Sequence, residues 1–233
     1  MKTIFIFAIV ATLASFASQG QFSSFGVSAA GGLSFISLKS SEDISNMSLH
    51  DKPMPAFQGG IFAAFQLTKK SVLESELNYL LQQGRTETVF SPLWIVLAPY
   101  EQYPGSGTDV STNTINYLTL PVRYSYRFGS LTLMAGIQTG IMLNGRGRSE
   151  AVIYAPDTTF YYANDYSLDH LHPFDFGISL AGSQEIFERF FVNISIYRSL
   201  ISLREPDLAT HSQKNFNALI GVSYSFIPSN KKR

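Results

Sequence analysis

Residues 117–128 read YLTLPVRYSYRF, and their pattern decides the fold. From Leu118 to Phe128 every second residue is apolar or aromatic, and most of the residues between them are polar. Successive side chains of a β-strand point to opposite faces, so the alternation predicts a strand with one apolar and one polar face. Residues 215–226 repeat the pattern, with Ile220 near the centre of the apolar set.

The same alternation predicts eight strands in all. They run over about 24–36, 56–68, 72–85, 116–128, 131–144, 174–186, 190–201 and 215–226. Each can cross a bilayer, because a tilted transmembrane strand needs about 9–11 residues. An even number of strands is expected of a single-chain bacterial barrel.

The connections between these strands alternate in length. Three are short, at 69–71, 129–130 and 187–189, whereas the other four are long. Short turns at one end and long loops at the other are typical of outer-membrane barrels. The sequence therefore predicts an all-β fold, an eight-stranded antiparallel up-and-down transmembrane β-barrel with short periplasmic turns and long outer loops. In the two-residue hairpin, Phe128 and Leu131 should pair on the apolar face.

The apolar set of such a barrel faces lipid, so the polar set fills the interior. This set combines small residues on some strands with large charged residues on others. The interior of an eight-stranded barrel is just wide enough for side chains to fill, which predicts a plugged polar lumen. Its small members include Gly26, Ser28, Ala30, Gly136, Gln138, Gly140, Gly177, Ser179 and Ser183.

The charged members of the polar set predict an ion-pair ladder inside the barrel. Glu74 and Glu76 lie on the third predicted strand, and Arg123 and Arg127 lie on the antiparallel fourth. Alignment of the inner strand ends places Glu76 near Arg123 and Glu74 near Arg127, within reach of one another. Asp175 of the sixth strand could join from across the barrel. The alternative is a narrow channel lined by separately hydrated charges.

Composition excludes several classes of protein. Only 15% of the 233 residues are charged, against about 25% in soluble globular chains. Lys+Arg and Asp+Glu are equal at 17 each, so no nucleic-acid partner is expected. The chain has no cysteine, which excludes disulfides, thiolate metal sites and cysteine nucleophiles.

The first twenty residues have the features of a secretory signal. Lys2 precedes the apolar stretch 4–14, and small residues follow it. The alternative is a membrane anchor, but a spanning helix needs about 20 apolar residues. We therefore predict a cleaved signal peptide at 1–20, a barrel at 21–226 and a short basic tail at 227–233. The predicted location is the outer membrane of a Gram-negative bacterium.

Several stretches resemble the PorT-like outer-membrane β-barrel domain family. The resemblance covers residues 22–226. It implies an eight-stranded barrel in the outer membrane and little chemistry. The similar stretches are LESELNY (73–79) continuing to Gly84, YLTLPVRY (117–124) continuing to Phe128, Ala135-Gly136, FDFG (174–177) and GVSYSF (221–226).

The predicted outer loops contain the remaining candidates. His170 and His172, near Asp169 and Asp175, have donors that suit zinc, but two loop histidines are more often solvated or capping residues. His211, Ser212 and Asp207 have the residue types of a Ser-His-Asp hydrolase triad, although triads depend on geometry rather than on spacing. We therefore assign no catalytic, cofactor-binding or metal-binding residue.

An apolar run in the loop after the third predicted strand, at residues 90–100, contains the only tryptophan. It either packs under the aromatic residues of the next loop or forms a contact surface. The residues of that surface would be Leu93, Trp94, Ile95 and Tyr100.

The sequence thus predicts a non-enzymatic outer-membrane barrel that presents loops for surface interaction or supports envelope or secretion machinery. Its expected partners are outer-membrane lipid and an unidentified envelope or secretion protein, with no cofactor. Two alternatives are a transporter of small hydrophobic solutes and an enzyme that modifies lipid A.

Overall fold

The computed structural model describes residues 22–40, 47–97, 101–155, 157–169, 171–203 and 211–227. The predicted signal peptide and residues 228–233 of the predicted tail lie outside them. The described residues form ten strands, which are β1 (Phe22–Ser40), β2 (Met47–Lys52), β3 (Met54–Gln66), β4 (Ser71–Leu97), β5 (Glu101–Phe128), β6 (Leu131–Ala155), β7 (Thr158–Ser167), β8 (Phe174–Phe187), β9 (Phe190–Ser199) and β10 (His211–Ser225).

Eight of these strands close into an antiparallel barrel. The ring runs β1-β3-β4-β5-β6-β8-β9-β10, and β10 pairs with β1 to complete it. Strands that follow one another in this ring are neighbours in the chain, apart from the inserted β2 and β7. The eight-stranded up-and-down barrel predicted from the alternation is confirmed.

The two faces of the strands are those that the alternation predicts. On β5, Tyr124 is 50% exposed at the barrel surface, whereas its neighbour Arg123 is buried in the interior. On β10, Ile220 is 60% exposed and Leu219 is buried. In the membrane, the exposed apolar set contacts lipid, so the polar set is the one enclosed by the ring.

Tight turns connect neighbouring strands at the inner end of the barrel. Gly129 has a φ of 64°, a left-handed conformation that glycine adopts without steric cost, and Phe128 pairs with Leu131 across the turn. Arg189 adopts a φ of 75° in the turn between β8 and β9. The turn between β3 and β4 is held by the Thr68 hydroxyl, which accepts hydrogen bonds from the backbone of Lys70 and Ser71.

Aromatic rings from β1, β9 and the end of β10 cluster at the inner rim. Phe190 and Tyr224 lie 4.9 Å apart between ring centroids, Tyr224 and Phe226 lie 5.6 Å apart, and Phe226 and Phe25 lie 5.8 Å apart. Aromatic girdles mark the interfaces of membrane barrels, so this band locates the periplasmic boundary of the apolar belt. Among the residues that the structure describes, no helix has the length and hydropathy to cross a membrane.

The outer end of the barrel differs from the predicted long loops. The segment 86–115, expected to be a loop, is mostly strand, because β4 and β5 remain paired from Gly84 opposite Asn113 to Leu97 opposite Glu101. On one side of this extension β2 pairs with β4. On the other side β6 pairs with β5, and β7 pairs with β6. The result is an outer sheet of order β2-β4-β5-β6-β7 that projects beyond the barrel.

Candidate functional site

A buried charge cluster occupies the inner half of the lumen. Arg123 donates from Nη1 to Glu76 Oε1 at 2.6 Å, and the same Nη1 lies 3.6 Å from Glu74 Oε1. Its Nε reaches past β6 and donates to Ser179 Oγ of β8 at 2.9 Å. Asn78 donates to the other oxygen of Glu76 at 2.7 Å. One guanidinium thus binds two carboxylates and ties β4, β5 and β8 together.

The strand register within this cluster differs from the alignment of strand ends. Glu74 lies directly opposite Arg123, and Glu76 reaches the same arginine diagonally. Closed barrels stagger their strands, and this stagger moves the partner of Glu74 from the expected Arg127 to Arg123, four residues along β5. Arg127 consequently lies four residues beyond Arg123 on the same face of β5, exposed at the inner mouth, where its backbone N–H donates to the Lys70 carbonyl at 2.9 Å.

Asp175 belongs to a separate polar network nearer the outer end. Its carboxylate accepts hydrogen bonds from Ser199 Oγ at 2.5 Å and from Asn215 Nδ2 at 2.8 Å. Asn215 also donates to the Tyr117 hydroxyl at 3.2 Å. Asp175 lies four residues from Ser179 along β8, a distance of about 13 Å. Its carboxylate is therefore too far away to contact the Arg123 guanidinium, which binds Ser179. The structure therefore brings Glu74, Glu76 and Arg123 together, and Arg127 and Asp175 lie apart from them.

An apolar plug closes the outer half of the lumen, a feature that the sequence analysis missed. Inward-pointing residues of the barrel wall pack there against leucines from the segments that follow β7 and β9. This plug lies beside the Asp175 network, so apolar and hydrogen-bonded polar side chains together close the outer half. The plug consists of Ile36, Ala56, Leu80, Ile115, Tyr117, Met142, Leu168, Leu171, Leu203 and Leu219.

Below the plug, the inner half of the lumen contains a cavity of about 180 Å³. Lys69, Lys70 and Arg127 line it near the inner turns, and the Arg123 cluster lines one wall. Leu219 belongs both to this cavity and to the plug. The lumen is therefore a blind pocket that opens at the periplasmic end.

Polar contacts hold the outer sheet together. Lys52 of β2 pairs with Glu87 of β4, and this contact lowers the pKa of the partly exposed Glu87 carboxyl. Ser149 of β6 donates to Asp109 of β5 at 2.6 Å. Tyr166 of β7 donates its hydroxyl to Asn113 at 2.9 Å and packs over Gly147, where a Cβ would lie 2.1 Å from the ring.

The predicted contact surface lies at the tip of this sheet. The backbones of Leu93, Trp94 and Ile95 extend β4 opposite Gly105, Pro104 and Tyr103, respectively. Their side chains, and the whole of Tyr100, lie outside what the structure describes.

On the neighbouring β6–β7 hairpin, three tyrosines project into solvent. Tyr154 is 53%, Tyr162 57% and Tyr161 77% exposed. Exposed tyrosines of this kind suit a contact surface, because each ring offers apolar area and a polar hydroxyl.

Of the candidate metal-site histidines His170 and His172, the structure describes His172. His172 Nδ1 contacts the backbone N–H and carbonyl of Phe174, and Asp175 points into the lumen. No group of three His, Asp or Glu side chains within the described ranges could hold an ion. His170 and Asp207 lie outside these ranges, as do the side chains of His211 and Ser212.

Comparison with known proteins supports the same architecture. Residues 16–205 match the family described as outer membrane protein beta-barrel domain. No curated protein matches the sequence.

Three solved structures illustrate the similarity. Ail, the attachment invasion locus protein of Yersinia pestis, has 9% sequence identity over 88% of this chain and 99% of its own, with a TM-score of 0.37. Neisserial surface protein A has 10% identity over 87% of this chain and 97% of its own, with a TM-score of 0.37. An outer membrane channel from Pseudomonas putida F1 has 9% identity over 87% and 95%, with a TM-score of 0.28.

Proposed function

The chain belongs to the outer membrane protein beta-barrel domain family, and we propose that it is a non-enzymatic member whose outer sheet binds a partner at the cell surface. The protein resides in the outer membrane, with lipid around its apolar belt. The narrower PorT-like assignment and the cleaved signal peptide stay predictions from the sequence.

The observation that carries the proposal is the projecting outer sheet. Among the described residues β7 pairs with β6 alone, so the other edge of Thr158–Ser167 is open. An open edge exposes backbone N–H and C=O groups that another chain can pair with. Tyr161 and Tyr162 lie on this strand and are exposed on opposite faces of the hairpin. Backbone pairing and aromatic contact are thus available at one place.

The first test is site-specific photo-cross-linking in intact cells. A photoreactive phenylalanine analogue replaces Tyr161 at the outer sheet in one variant and Phe187, a 71% exposed aromatic at the inner end, in a matched control. We expect an adduct with a protein or glycan partner from position 161 and none from position 187. Adducts from position 187 alone would instead favour support of envelope or secretion machinery from the periplasmic side.

A closed lumen also predicts the absence of transport through the barrel. The plug fills the outer half and the ring of strands is continuous, which argues against passage of hydrophobic solutes through a lateral opening. We expect no stepwise conductance in planar bilayers and no swelling of liposomes that contain the protein, under conditions in which a reconstituted porin gives both. Conductance of the unmodified protein would contradict the plug and the ion-pair cluster together.

A further inference from the structure

The inner half of the lumen has a charge imbalance that its own residues do not neutralise. Four cationic side chains line the cavity, Lys69, Lys70, Arg123 and Arg127, against the two carboxylates of Glu74 and Glu76. Both carboxylates form ion pairs with Arg123. None of the ion pairs that the described residues form involves Lys69, Lys70 or Arg127. The mouth of the pocket thus carries a positive field directed at whatever enters from the periplasm.

The wall of the cavity also offers hydroxyl groups without partners. Ser125 is 2% exposed and lines the cavity, and its Oγ makes no hydrogen bond within the described protein. The Oγ of Ser28, on the opposite side of the ring, is likewise unpartnered and also lines the cavity. Buried polar atoms are normally hydrogen-bonded, so two hydroxyls without a partner in one cavity indicate that a molecule bound in the cavity supplies their hydrogen bonds.

The size of the cavity limits what can bind. Its volume of about 180 Å³ is far more than a single water molecule needs. A small organic acid or sugar phosphate fits this volume. Hydroxyl donors beside unpaired cations match the acceptor-only oxygens of carboxylates and phosphates.

We propose that the inner half of the lumen is a binding pocket for a small organic anion, carrying carboxylate or phosphate groups, that enters from the periplasm. The plug prevents the anion from continuing outward, so the site binds and does not transport. This proposal concerns the opposite end of the molecule from the outer sheet and does not depend on the partner proposed there.

The test is calorimetric titration of the full chain, purified from outer membranes in detergent. Citrate serves as the carboxylate probe, inorganic phosphate as the phosphate probe, and glucose as an uncharged molecule of comparable size. We expect one saturable site for citrate or phosphate, with binding that weakens as sodium chloride is raised, and no heat of binding for glucose. The stronger of the two anions identifies the group that the pocket recognises.

Two variants locate the site. Arg127→Gln should weaken anion binding about tenfold, because it removes one charge-assisted contact at the mouth. The Lys69→Gln/Lys70→Gln double variant, confined to an exposed turn, should weaken it similarly and keeps the test valid if the first variant folds poorly. Arg148→Gln, the same chemical change on the outer sheet, should leave binding unchanged. No saturable anion binding, or binding that neither inner variant alters, would overturn the proposal.

Discussion

Arg123→Glu is expected to destabilise the barrel by about 3–5 kcal/mol, the cost of leaving buried charges without their partner. Nη1 of Arg123 lies 2.6 Å from Glu76 and 3.6 Å from Glu74, and all three side chains are largely buried. The variant would gather three carboxylates at one point of a narrow lumen. It would also remove the donor to Ser179. The free energy of unfolding is measured in urea with the protein in lipid vesicles, from the heat-modifiable band on gels.

The charge-swapped double variant tests whether the charges themselves are responsible. In Arg123→Glu/Glu76→Arg, the new arginine can bind the new glutamate in the reversed diagonal pair and remains near Glu74. Much of the lost stability should return. Recovery will be incomplete, because Asn78 loses the carboxylate that it donates to in the parent protein. No recovery would show that Arg123 stabilises the barrel through packing and Ser179 rather than through the carboxylates.

Arg127→Glu is the matched control for the cluster. It introduces the same change four residues along the same face of β5, at an exposed position outside the ion pairs of the described residues. The expected effect is below about 1 kcal/mol, as for surface charges. A loss equal to that of Arg123→Glu would show that net charge near the mouth, and not the buried cluster, sets the stability.

The faces of the strands could be predicted from sequence because contact with lipid favours an apolar side chain at each outward-facing position, independently of its neighbours. Tyr124 faces outward and Arg123 inward for the reason visible in the alternation alone, since a period of two assigns every side chain to one side. The same reasoning placed Phe128 opposite Leu131, because a two-residue turn leaves one register available.

The pairing inside the lumen could not be predicted in the same way. Which residue lies opposite Glu74 depends on the stagger between β4 and β5, and the stagger is a property of the closed ring. Alignment of strand ends placed Glu74 near Arg127, whereas the ring places it opposite Arg123. The position of Asp175 along β8 follows from the same stagger.

Two features of the outer end left weaker signals in the sequence. Beyond the membrane no lipid selects for apolar alternation, so β4 and β5 continue there with β-branched polar residues such as Thr86, Thr88 and Thr112. The plug shows only as apolar exceptions on the polar face, at Leu80 and Ile115. Its loop leucines follow no period, and their place depends on tertiary packing.

Ile220→Arg is the second change with a large expected effect, about 2–4 kcal/mol of lost stability. Ile220 lies in the middle of β10, opposite Ile194 of β9 and Gly31 of β1, and is 60% exposed on the face that contacts lipid. An arginine there must hold its charge near the centre of the hydrocarbon or bend its side chain toward an interface. The cost should therefore rise with bilayer thickness, measured by urea unfolding in vesicles of shorter-chain and longer-chain phosphatidylcholine.

Ser223→Arg separates this lipid effect from a general intolerance of arginine on β10. Ser223 points into the lumen, accepts a hydrogen bond from Asn193 at 2.9 Å and lines the inner cavity. Arginine there disturbs packing and adds to the positive charge of the pocket, so it also destabilises the barrel. Its cost should nevertheless be the same in thin and thick bilayers, because the side chain never contacts lipid. Equal dependence of both variants on thickness would mean that the two faces of β10 are not divided between lipid and lumen as the structure has them.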